Sequence, residues 1–154
     1  MAAVFGLLSV PWTFGFEQVA GLPLWPSFLA SASFFAAGGG APGARRSLAA
    51  NVVGAGYAAL TLAIVAWTGW GPVGLSVTVG AFMAVASLHA LVPGLTFTPG
   101  AFVGYAALFG VDAAGLGLGL AGRAGTLVAT LVSMAIGAGL GWLAETVASL
   151  AVKG

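Results

Sequence analysis

The chain has 154 residues, of which 60% are hydrophobic and only 5% charged. A soluble domain is about 25% charged, so Glu17, Arg45, Arg46, Asp112, Arg123, Glu145 and Lys153 are too few to keep a globule of this length dissolved. A net charge of +1 excludes a nucleic-acid binder, the absence of cysteine excludes disulfides and thiol chemistry, and a single histidine excludes a multi-histidine metal centre within one chain. What remains is an all-α integral membrane protein, because the bilayer is the apolar solvent that such a composition requires.

The opening Met1-Ala2-Ala3-Val4-Phe5 carries no basic residue and is read as the start of a first span rather than a signal peptide. That span is expected from about Ala2 to Leu22. A short segment follows from Trp25-Pro26 to Ala37, stopped by the glycine-rich run from Gly38 to Gly43. Arg45 and Arg46 precede a span from Ser47 to Trp70, and Gly71-Pro72 turns the chain. The next span covers Val73 to Leu91 and closes at Pro93-Gly94. A second short segment covers Pro99 to Gly110. A glycine-rich stretch from Asp112 to Gly122 leads through Arg123 to a last span from Ala124 to about Leu150.

The two short segments align at a constant offset of 74, Ser27–Ala36 with Ala101–Gly110. Each follows a proline and leads through glycines and arginine to a long helix rich in small residues. Gly54 and Gly56 in one long helix match Gly137 and Gly139 in the other. The expectation is one membrane domain, 1–154, built as an internal two-fold repeat with halves of about 1–70 and 71–154. A helix over 26–37 rises about 18 Å at 1.5 Å per residue, short of the roughly 30 Å hydrocarbon core. Two architectures stay open. One has four long spans with two short, re-entrant half-helices. The other has six spans in inverted halves. Charge does not choose between them. Re-entry places Arg45, Arg46 and Arg123 on one side, whereas six crossings place Arg45, Arg46 and Lys153 there.

Trp25-Pro26-x-Phe28, Phe34-Phe35-Ala36-Ala37-Gly38-Gly39, Ser47-Leu48-x-x-Asn51-x-x-Gly54 and Phe97-Thr98-Pro99-Gly100-Ala101-Phe102-Val103-Gly104 together resemble the family of small bacterial inner-membrane proteins catalogued as domain of unknown function 1097. The resemblance runs from Trp25 onward, and Pro-Gly-Ala-Phe-x-Gly is its most specific part. It implies a multi-pass protein of the bacterial inner membrane and brings no functional residues with it.

Paired short segments interrupted by Pro and Gly mark solute paths in transporters. Trp25, Phe28, Phe35, Phe102, Tyr105 and Phe109 are therefore the aromatic candidates for lining a path, against ordinary helix packing. Asn51 and Thr130 are the candidates for hydrogen bonds to a solute, against interhelical bonds. Glu17, late in the first span, is a possible proton-coupling carboxylate or an interfacial residue. His89, at the end of the third long segment, is a possible proton relay or gate, or a satisfied residue at a span end. Gly117-x-Gly-x-x-Gly122 matches a dinucleotide fingerprint but follows no strand, and is rejected.

The expected function is a passive channel for a small neutral polar solute of the urea, amide, ammonia or water class. Its partners would be the lipid bilayer, the solute and further copies in a homo-oligomer, with no enzyme activity, cofactor, metal or nucleic acid. The alternatives are a proton-coupled transporter of a small solute or cation using Glu17, and a structural or accessory membrane protein that moves nothing.

Overall fold

The computed structural model describes the backbone of residues 2–153 and the side chains of residues 2–151. Six α-helices account for nearly all of it: α1 Ala2–Glu17, α2 Trp25–Ala36, α3 Gly40–Thr68, α4 Gly71–Leu88, α5 Thr98–Ala113 and α6 Gly122–Lys153, with a 3-10 turn at His89–Leu91. No strand occurs among the described residues. Three stretches are long and apolar enough to cross a membrane, Gly40–Thr68, Gly71–Leu91 and Gly122–Ala151.

The expected four long spans are therefore three. The first ends at Glu17 after 16 residues, not at Leu22. Beyond it, Gln18 and Val19 bond back only three residues, Gly21 takes φ +77°, and Pro23 has no N–H to continue the ladder. The third helix begins at Gly40, not Ser47, and takes Arg45 and Arg46 into its first two turns. Pro42 does not break it, because the amides of a first turn have no intrahelical partner anyway. The second short helix is a turn longer than expected and includes Asp112.

Both short helices stop in the same way. At the end of α2, Gly38 donates to the Phe35 carbonyl at 3.0 Å and Gly39 to that of Phe34 at 3.1 Å. At the end of α5, Gly115 donates to Asp112 at 3.0 Å and Leu116 to Val111 at 3.2 Å. These are Schellman closures, which need a residue with positive φ just past the helix, and Gly38 (φ +99°) and Gly115 (φ +67°) supply it.

Packing pairs each short helix with the long helix of the opposite half. Along α2 and α6, the Ser133 hydroxyl donates to the Pro23 carbonyl at 2.7 Å, the Ser31 hydroxyl to the Gly137 carbonyl at 2.5 Å, and Phe34 lies over Gly141. Along α3 and α5, Ala50 meets Gly100, Gly54 meets Ala101, and Ala58 shares a buried cluster with Leu108. Both pairs thus run parallel. The backbones touch: a Cβ at Gly54 would strike the Ala101 carbonyl, and one at Gly137 the Ser27 carbonyl.

The remaining contacts set the other directions. The Trp12 indole donates to Ser27 at 3.0 Å and Phe5 meets Phe35 edge-on at 5.9 Å, so α1 is antiparallel to α2. Tyr57 stacks on Phe82 at 5.4 Å across the Gly69–Trp70 turn, so α4 is antiparallel to α3. Glu145, late in α6, reaches Gly40 at the start of α3, so those two helices are antiparallel. Successive helices therefore alternate in direction along the whole chain.

Candidate functional site: a neutral polar seam

Ten polar side chains are buried among the described residues: Ser27, Ser31 and Ser33 on α2, Ser47, Asn51 and Thr61 on α3, Thr126, Thr130 and Ser133 on α6, and His89. None is a carboxylate, ammonium or guanidinium group. Most of the hydroxyls are satisfied by backbone carbonyls, as membrane helices commonly arrange them. Thr130 donates to Thr126 at 2.8 Å and Thr61 to Tyr57 at 2.9 Å. Thr61 also shares a hydrogen bond of 2.8 Å with the Tyr105 hydroxyl.

Asn51 is different. It is fully buried between α2 and α5. The Ser33 hydroxyl donates to its Oδ1 at 2.9 Å, while its Nδ2 has no partner among the described residues. A buried polar group left unpaired costs about 1–3 kcal/mol. Gly104 is pressed against the backbone carbonyl of Asn51, with no room for a Cβ, so α5 packs directly on the α3 backbone at this residue.

His89 is 6% exposed, and neither ring nitrogen has a hydrogen-bond partner among the described residues. Its ring lies 6.0 Å from that of Tyr57. The satisfied residue expected at a span end is instead a buried and unpartnered one, because the α4 helix tightens into a 3-10 turn there and carries the ring in against α3.

The other candidates divide. Thr130 and Tyr105 are buried, and Tyr105 packs on Phe109 at 5.0 Å. Trp25, Phe28, Phe35 and Phe102 are each more than a third exposed, and Phe28 and Phe35 pack on Trp12 and Phe5 of α1. On α2 the reason is steric. Residues 27, 30, 31 and 34 form the face that meets α6, and only small groups fit beside Gly137. Phe28 and Phe35, seven positions apart, share the flank of α2 that meets α1 and border an apolar groove of ≈ 460 Å³ with Phe5 of α1. Glu17 is exposed at the last position of α1. A polar cleft of ≈ 680 Å³ opens at the same end of the bundle, bordered by Asp112, Arg123 and the glycine-rich loop, and its inner edge is Thr126.

Sequence reasoning passed over Glu145. Its carboxylate accepts from the Gly40 amide at 2.7 Å and lies against Gly39, tying the end of α6 to the start of α3. A carboxylate there satisfies an orphan amide and faces the positive end of the helix dipole. Its separation from Gly40 by more than a hundred residues hid it. Replacing Glu145 by Ala is expected to cost about 1 kcal/mol, within the range for lost N-caps. Thermal unfolding in detergent checks this, with Glu145→Gln retaining part of the loss through its remaining acceptor.

The family described as "Protein of unknown function (DUF1097)" matches residues 2–149, and the chain belongs to it. No curated protein matches the chain. No solved structure matches it either.

Proposed function

We propose that this chain is a multi-pass protein of the bacterial inner membrane that lets a small neutral polar solute, of the urea, amide, ammonia or water class, pass down its gradient. The observation that carries this reading is the chemistry of the interior: no carboxylate, ammonium or guanidinium group is buried among the described residues. Ionisable residues inside a membrane mark ion paths and proton relays, and His89 is the one such residue buried here among the described residues. The cleft at Asp112 and Arg123 is the entrance on one face, leading to Thr126 and the hydroxyl-bearing face of α6.

The architecture we propose is six crossings in two inverted three-helix repeats. The equivalent residues Ser27 and Ala101 meet the equivalent glycines Gly137 and Gly54, and successive helices alternate in direction. Solute paths in inverted-repeat proteins run near the bilayer midplane at the repeat interface. This arrangement puts Arg45, Arg46 and Lys153 on one side against Arg123 on the other, which makes the former side cytoplasmic. The outward aromatics are left for lipid or for a second copy in a homo-oligomer.

Proton coupling through Glu17 is not favoured, since that carboxylate is exposed at a helix end. Labelled acetamide uptake into proteoliposomes is expected to follow the acetamide gradient alone, with the same rate in Glu17→Gln and with or without a pH gradient. Uptake that needs both the pH gradient and Glu17 overturns the passive reading. The specific observation favouring a second reading, a non-transporting accessory protein, is the tight packing of Gly104 on the Asn51 backbone. That reading requires no flux in the pure protein and stable capture of a partner.

A further inference from the structure

We infer that the Asn51 amide, steadied by Ser33, is the single hydrogen-bond station that selects the solute, and that it favours solutes bearing a carboxamide or urea group; this rests on the passive-path reading above. Asn51 is the twelfth residue of the 29-residue α3, close to its middle. There its side chain is fully buried and bonds to Ser33 of α2, while its backbone carbonyl packs against Gly104 of α5. Ser33 occupies Oδ1, and the two N–H donors on Nδ2 face no acceptor among the described residues. A solute carbonyl oxygen supplies what is missing. If the amide is turned end for end, Ser33 receives the N–H and the free group is the oxygen, which a solute N–H fills. A primary amide or urea carries both complements, so it fits either setting.

The station has no twin. The positions that correspond to Asn51 and Ser33 in the other half are Met134 and Ala107, which lie together with Ala30 in an apolar cluster. One hydrogen-bonding station with no second amide in the other half suits a small planar solute with one polar edge engaged at a time, and discriminates against polyols, which need hydrogen bonds all round. An amide kept solely to join helices would instead have both ends bonded.

The test is stopped-flow permeability of proteoliposomes to acetamide, urea and glycerol for the wild type, Asn51→Ala and Ser33→Ala, with unfolding temperature measured in parallel. Asn51→Ala leaves a smaller side chain, so it cannot plug the path. Its acetamide-to-glycerol permeability ratio is expected to fall about tenfold, with little change in unfolding temperature. Ser33→Ala, which only frees the amide to turn, is expected to lower the ratio by a smaller factor, and it serves as the test if Asn51→Ala fails to fold. A wild type that conducts with a ratio unchanged in the variants overturns the station and leaves the passive path standing. A fall in unfolding temperature with the ratio unchanged marks Asn51 as structural. A wild type that conducts none of the three solutes removes the path and the station together.

Discussion

Replacing Gly54 or Gly137 by Ala is expected to abolish stable folding or to cost about 3 kcal/mol or more, at the upper end for overpacking, because the atom struck is backbone and cannot turn aside. A methyl at Gly54 meets the Ala101 carbonyl, and one at Gly137 the Ser27 carbonyl. Both lie where a short helix rests on a long one, so relief requires parting α3 from α5 or α6 from α2. Small residues at such crossings are what let membrane helices approach closely. The controls are two positions away. Gly56 and Gly139 have nothing within 4 Å of a Cβ, so Ala there is expected to be neutral or stabilising, by up to about 1 kcal/mol from helix propensity. Yield of monodisperse protein and thermal unfolding in detergent read both effects. Equal tolerance at all four glycines would contradict the packing described.

Single-cysteine labelling is expected to give an all-or-none pattern, and the absence of native cysteine makes the background clean. With alternating helices, Ala20→Cys and Ala121→Cys fall in loops at one end of the bundle, and Ala41→Cys, exposed at the start of α3, and Leu95→Cys, in a loop, at the other. In intact cells, a membrane-impermeant maleimide is expected to label residues 20 and 121 from outside and to reach 41 and 95 only after permeabilisation. Re-entrant short helices would instead put all four positions on one side. The outcome therefore separates the two architectures that the sequence leaves open.

Several features of the fold were legible as residues. Gly38-Gly39 and Pro26 bound α2 because a positive φ and a missing N–H act locally, whatever the rest of the chain does. The early stop of α1 was misjudged because Leu22 is apolar, while the geometry is set by Gly21 and Pro23 around it. Gly54 and Gly56 look alike in the sequence. Which one is pressed against α5 depends on a partner some fifty residues away, and local patterning carries no such information.

The candidate site divides along the same line. Asn51 and Thr130 were identifiable as polar groups inside apolar helices. Phe28 and Phe35 share a flank of α2, and the need for small residues against Gly137 turns that flank away from α6 and toward α1. Ser33 gained its role only from the position of α2 beside α3. Glu145 gained its role from the meeting of chain segments 105 positions apart.

The most direct measurement of the central claim is stopped-flow light scattering on proteoliposomes of the pure protein, with inward gradients of urea, acetamide and ammonia at equal pH on both sides, compared with empty liposomes. The expected result is faster equilibration of at least one of these neutral solutes with no ion or proton gradient imposed. Equilibration no faster than in empty liposomes for every one of them contradicts the account.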